Sequence, residues 1–191
     1  MKTIRRTRVC VFAGSNSGLL GDYASAAAEL GSALVSQGCS LVYGGASVGV
    51  MGAVADSVLA QGGEVIGVIP AHLAAKEVDH NGLTQLQIVE SMHERKRVMS
   101  ELSDGFVALP GGLGTLDELF ESLTWLQLGL HSKPCGLLNV AGYFDRLLVF
   151  LDHAVDQGFV ADDYRAWLIC TADARTLLDE LQCQLNLETR R

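Results

Sequence analysis

The chain has little that would tie it to an extracellular, metal-bound or membrane setting. Its five cysteines (Cys10, Cys39, Cys135, Cys170 and Cys183) are scattered, odd in number and never paired as C-x-x-C. That excludes a simple disulfide frame and a zinc ribbon, and points to reduced thiols in the cytoplasm. The five histidines are equally dispersed, so no metal constellation emerges. After the basic start "MKTIRRTR", the apolar run "VCVFAG" is too short for a secretory core, and no later run approaches a membrane span. Aromatic residues make up only 6% of the chain although 49% is hydrophobic, so the apolar content is mostly Ala, Val and Leu. That mixture suits helices packed closely over a buried parallel sheet. Positive charge is scarce as well: the formal net charge of -8 argues against a broad nucleic-acid or anionic-membrane surface.

What is present is a regular alternation. Short β-rich runs at 8–14, 40–45, 64–70, 86–90, 105–111 and 135–140 are separated by helical patterns near 22–37, 49–61, 91–103, 115–129 and 143–157. "WLICTADARTLLDEL" adds a short extended piece and a closing helix. Strands that are apolar without alternation, each followed by a helix, indicate a doubly wound, Rossmann-like α/β domain with helices on both faces of a parallel sheet. No linker or repeat divides the pattern, so residues 1–191 are expected to form one domain, with 1–7 as a flexible tail. The longest irregular stretch is 71–84.

Three predicted strand ends are rich in glycine: "AGSNSG" (13–18), "YGGASVGVMG" (43–52) and "LPGGLGT" (109–115). A tight turn accounts for one such loop. Three at the carboxyl edge of one parallel sheet, each leading into a helix, point to a phosphate-bearing ligand. Gly14, Ser15, Gly45 and Ser47 are candidate contacts from the first two loops. No glycine is followed by lysine, which removes the Walker pattern, and Ala46 breaks G-x-G-x-x-G between Gly44 and Gly49. A mononucleotide or sugar phosphate is left.

Two helix starts carry chemistry. "SMHERKRV" places His93, Arg95, Lys96 and Arg97 where cations oppose the helix dipole, after a Ser91/Glu94 capping box. Arg95 also falls on the apolar stripe of Met92, Met99 and Leu102, a costly position unless something anionic meets it. In "PGGLGTLDELFE", Thr115 and Glu118 have capping-box spacing, which gives Glu118 a structural reading. Against it, Gly111, Gly112 and Gly114 would bring a phosphate to the same helix end, where a carboxylate needs a chemical reason. Leu116, Leu119, Phe120 and Leu123 read as the sheet-facing stripe, with Glu118 and Trp125 on a second face that a partner subunit would cover.

"MHERK" (92–96) with "PGGLGTLDE" (110–118) resembles the paired M-H-x-R-K and P-G-G-x-G-T-x-x-E motifs of the LONELY GUY family, the cytokinin riboside 5'-monophosphate phosphoribohydrolases. The likeness runs from "VFAGSNSG" to "GF" at 158–159, with one departure: the family's G-G-G reads here Gly44-Gly45-Ala46. The resemblance implies that Arg95 and Glu118 are catalytic. It also implies that the nucleotide is bound by Glu77, Arg95, Lys96, Thr124 and the segment Gly111, Gly112, Leu113, Gly114, Thr115, Leu116, Asp117 and Glu118. The implied reaction is hydrolysis of the N-glycosidic bond of AMP or an N6-modified AMP, with no metal or organic cofactor, in a homodimer. Lysine decarboxylation, a label attached to such sequences, normally needs a pyridoxal phosphate lysine. The only lysines are Lys2, Lys76, Lys96 and Lys133, and Lys96 has the better role as a substrate contact. A non-catalytic nucleotide or cofactor carrier on the same fold is the competing reading.

Overall fold

The computed structural model describes residues 6–74, 80 and 82–188. Seven strands form one parallel sheet in the order β4-β3-β2-β1-β5-β6-β7. They are β1 (Arg8–Phe12), β2 (Ser40–Tyr43), β3 (Val65–Pro70), β4 (Gln85–Val89), β5 (Gly105–Ala108), β6 (Cys135–Leu138) and β7 (Leu168–Thr171). The strand order reverses between β1 and β5, so the doubly wound expectation holds. The last extended piece, β7, pairs with β6.

Side chains alternate across each strand and so feed two cores. Val9, Val11, Leu41, Tyr43 and Val107 pack with α1 (Asp22–Ser36), α2 (Gly49–Ala60) and α8 (Ala174–Glu188). Cys10, Phe12, Val42, Phe106 and Ala108 pack on the other face with α4 (Met92–Leu102), α5 (Leu113–Gln127) and α6 (Asp145–Asp156). Two single-turn helices, α3 (Ala71–Ala74) and α7 (Tyr164–Trp167), and a 3₁₀ turn at Val140–Gly142 complete the described elements, so the stretch expected to be irregular from residue 71 opens on a helical turn. Residues 1–5 of the expected tail lie outside the described residues. Thr7 belongs to the fold, because its carbonyl accepts a hydrogen bond from Ser40 N–H (2.9 Å).

β1, β2 and β5 end two to three residues earlier than the apolar runs suggest. Pairing stops where the glycine-rich segments leave the sheet plane, and all three of those loops emerge at neighbouring strand ends. Among the described residues no helix is long and apolar enough to cross a membrane.

Candidate active site

A cavity of about 550 Å³ opens at the carboxyl edge of the sheet, where the strand order reverses. In open α/β sheets that crevice is the ordinary place for a ligand. The loop after β1 (Ala13 to Gly18) forms one wall, and the loop after β5 (Pro110 to Thr115) forms another. The two are stitched together by Gly14 N–H, which donates to the Pro110 carbonyl (3.2 Å). Gly111 sits at the seam: a Cβ there would come within 2.1 Å of Thr115 Oγ1 and 2.7 Å of Gly14 N, so only glycine fits.

Helix α5 begins at Leu113, with Gly112 as its N-cap and no side chain capping it. Its first-turn N–H groups therefore belong to a cavity wall with the positive end of the helix dipole behind them, which is an anion site in waiting. This start corrects the expected capping box. Thr115 lies in the first turn and Glu118 a full turn into the helix, so Glu118 does not cap it. The physical reason is the glycine pair, which lets the chain enter the helix three residues earlier than a Thr115 cap would.

Arg95 and Glu118 both line this cavity. Ser91 caps α4 as the sequence suggests, accepting from Glu94 N–H (3.1 Å), while the Glu94 carboxylate accepts from Glu90 N–H (2.8 Å), one residue before the cap instead of the cap's own N–H. That fixes the helix phase and turns Arg95 inward, where only 7% of it is exposed. Its Nη2 donates to the Gly44 carbonyl (3.1 Å) and its Nη1 lies 3.8 Å from the Met92 sulfur. Its Nε is buried with no hydrogen-bond partner among the described residues. A buried guanidinium with a spare donor is an unfinished site. Gly44 leaves room for the guanidinium: a Cβ there would fall 1.9 Å from Arg95 Nη2 and 2.9 Å from the Met51 sulfur, so the ends of those two side chains would have to shift.

Burial pushes the Glu118 carboxyl up to about 7, with the Arg95 charge pulling it down and Asp117 pushing it up. It is thus poised to hold or release a proton near neutrality, as acid–base groups in enzymes are. Behind it a small void of about 10 Å³ is lined by Phe12, Lys96, Ser100, Phe106, Glu121 and Trp125. Glu118 thus lies between the large cavity and a void shared by α4 and α5, with Trp125 at that void. Lys96 and Ser100 of α4 cover part of Trp125, which stays half-buried in the single chain.

The structure brings together Gly14, Ser15, Arg95, Gly111, Gly112, Leu113, Gly114, Thr115, Asp117 and Glu118. It leaves others out. Lys96 is one layer back, its Nζ 3.1 Å from both Asp117 and Glu121, so it ties α4 to α5 rather than lining the cavity. Leu116 packs against the core. Thr124 Oγ1 donates to the Phe120 carbonyl (2.7 Å) on the exposed side of α5, nine residues or about 13 Å along the axis from Thr115. Gly45 turns toward β3, where a Cβ would meet Ile69 at 3.2 Å, and Ser47 does not line the cavity either. The Gly45–Ser47 part of this second loop acts as scaffold, while Val50 and Met51 line the cavity, with Met51 N–H already given to the Gly14 carbonyl (3.1 Å). Ala46 is fully buried in the core, so its methyl group does not tighten the cavity. Glu77 lies outside the described residues.

Asn16, Ser17 and Met51 line the cavity from glycine-rich loops already marked in the sequence, though not singled out there, whereas Tyr23 and Tyr143 lie outside those loops. Tyr143 could have been found, since it follows the carboxyl end of β6, the neighbour of β5. Among the described residues no cluster of three His, Cys, Asp or Glu side chains stands ready for a metal ion.

Known proteins agree with this architecture. The family described as "Possible lysine decarboxylase" matches residues 51–181. A probable cytokinin riboside 5'-monophosphate phosphoribohydrolase of Oryza sativa subsp. japonica is 52% identical over 178 residues, covering 93% of this chain and 78% of that protein. A cytokinin riboside 5'-monophosphate phosphoribohydrolase of Arabidopsis thaliana is 47% identical over 175 residues, covering 92% and 82%. Among solved structures, the molybdenum cofactor carrier protein of Chlamydomonas reinhardtii superposes with a TM-score of 0.72 over 95% of this chain and 99% of that one. At 21% identity, that likeness concerns the fold alone. By sequence over nearly its whole length, this chain belongs to the LOG family of cytokinin riboside 5'-monophosphate phosphoribohydrolases.

Proposed function

We propose that the chain hydrolyses the N-glycosidic bond of AMP or an N6-modified AMP, giving the free base and ribose 5-phosphate. One observation carries the reading. A carboxyl group raised to about 7 shares a cavity with a buried, incompletely bonded arginine and an uncapped helix start.

The roles follow from the chemistry. The 5'-phosphate occupies the glycine-rich start of α5, where backbone N–H groups and the helix dipole hold it and fix the ribose in place. Departure of the base takes the bonding electron pair to the base nitrogen and leaves positive charge on the ribose ring. The Glu118 carboxylate stabilises that charge and accepts a proton from the water that bonds to the anomeric carbon; that proton then goes to the departing base nitrogen, which frees the neutral base and restores the carboxylate. Arg95, with Nε free to donate, holds the nucleotide and favours departure of the base. Asp117 in the cavity wall and Lys96 one layer back shape the charge around Glu118. Lys96 and Thr124 contact substrate only if α4 and α5 rearrange or a second copy presents them.

The cofactor-carrier reading has less support. A carrier has no use for a near-neutral carboxyl beside its phosphate site, and the carrier proteins of similar fold are distant in sequence. Residues 1–191 act as one catalytic domain in this reading, which the single continuous sheet supports. A homodimer is supported by exposed apolar side chains on one segment, Val149 and Phe150 on α6 and Phe159 just after it. A cytoplasmic setting is supported by cysteines that are all free, three of them buried. Incubation with AMP and N6-isopentenyl-AMP, followed by chromatography for free base and ribose 5-phosphate, tests the reaction. Binding without release of base would overturn it.

A further inference from the structure

Tyr143 has a place in the site that neither the motifs nor the proposed roles account for. Its hydroxyl donates to the Gly111 carbonyl oxygen (2.5 Å), across 32 residues of chain. That carbonyl belongs to the peptide between Gly111 and Gly112, directly before the uncapped start of α5. A Gly-Gly peptide has no Cβ on either side to restrain rotation of its plane. In a trans peptide the C=O and the following N–H point in opposite directions, so fixing the Gly111 carbonyl also fixes Gly112 N–H.

The turn that presents Tyr143 is built for that purpose. Ala141 adopts a left-handed conformation (φ 50°, ψ 30°) in a 3₁₀ turn at Val140–Gly142, the only non-glycine residue with positive φ among those described. Such strain persists only where the surroundings over-determine it, and it concentrates at functional sites. Here Asn139 supplies the restraint: its Oδ1 accepts from Phe144 N–H (2.8 Å), and its Nδ2 donates to Asp145 (2.7 Å). The Tyr143 ring is steadied edge-on by Tyr23 (5.8 Å) and Phe144 (5.0 Å).

We infer that Tyr143 is a positioning residue for the phosphate: it locks the Gly111–Gly112 peptide in the orientation that presents the start of α5 to an anion. This rests on the phosphate placement proposed above. It assigns Tyr143 to binding rather than to bond breaking.

Tyr143→Phe removes the hydroxyl and keeps the ring contacts with Tyr23 and Phe144. The probe is ribose 5-phosphate, titrated by calorimetry into the wild-type chain and the variant, with melting temperatures recorded for both. The expected result is affinity at least about threefold weaker, the effect of one lost neutral hydrogen bond, with the melting temperature held within about 3 °C. With AMP as substrate, the same loss should enter KM rather than kcat. An affinity change below threefold overturns the inference. So does a larger fall in melting temperature, because then the fold and not the loop has given way, and so does a loss expressed in kcat alone. If the wild-type chain binds ribose 5-phosphate but releases no base from any nucleotide, the hydrolase reading fails while the affinity comparison still decides the role of Tyr143. If the wild-type chain binds no ribose 5-phosphate, the inference falls with the phosphate site.

Discussion

Glu118→Gln separates a catalytic carboxylate from a structural one, and its two effects run in opposite directions. Burial raises the carboxyl from its ordinary 4.5 to about 7. A carboxyl raised by folding stabilises the native state fully only below its unfolded value, and that contribution is lost as pH rises through the folded one. At about 1.4 kcal/mol per pH unit, keeping Glu118 ionised in the fold at pH 8 costs about 3 kcal/mol. Glutamine has nearly the same size and no charge to bury. The stability of the variant relative to wild type should therefore grow by about 2.5 kcal/mol between pH 5 and pH 8, read from urea unfolding at each pH. Over the same range kcat should fall by roughly 10²–10⁴, the usual loss for an acid–base group. An active variant, or a stability difference that stays flat with pH, would refute the reasoning. A less stable variant would return Glu118 to a structural role.

For wild type, kcat/KM reports the free protein, so activity carried by the Glu118 carboxylate should rise with pH to a plateau, with a midpoint near 7. A profile flat from pH 5 to pH 8 would contradict that. Gly44→Ala places a methyl group 1.9 Å from Arg95 Nη2, so Arg95 must move. Activity should fall at least about tenfold, the cost of misplacing a positioned group, while circular dichroism stays native. A nucleoside lacking the 5'-phosphate forgoes the charge-assisted bonds at the start of α5, and its kcat/KM should be about 100-fold lower than that of the monophosphate. Comparable efficiency on adenosine and AMP would remove that loop from the account. In sedimentation at micromolar concentration the chain should run as a dimer; a fully active monomer would sink the homodimer proposal.

Much of the fold was legible because its signals are local and repeated. Unbroken apolar strands, each followed by a helix, allow few arrangements other than a covered parallel sheet, and the glycine-rich ends mark the edge where ligands sit. Arg95 was legible for a related reason: a cation on an apolar stripe is a contradiction that the fold must resolve, and it does so with the Gly44 carbonyl and the cavity. What was not legible depended on phase and partnership. Thr115 and Glu118 have capping-box spacing, yet the helix begins at Leu113, because spacing does not reveal which glycine enters the helix. Trp125 shares a small void with Lys96 and Ser100 of α4, a contact that spacing along α5 does not reveal. Lys96 stands beside Arg95 in sequence, but one residue along a helix is a rotation of about 100°. That turns Lys96 away from the cavity and onto Asp117 and Glu121. Tyr143 was hidden because its partner is a backbone carbonyl, which no residue pattern records.

The central claim is that the cavity breaks a glycosidic bond rather than merely holding a nucleotide. Time-resolved chromatography of AMP or N6-isopentenyl-AMP with the purified chain tests it most directly, counting base and ribose 5-phosphate in the same samples. The account predicts the two products in equal amounts over many turnovers, and their disappearance in Glu118→Gln. Nucleotide that is recovered intact after tight binding, or base released equally by Glu118→Gln, would contradict it.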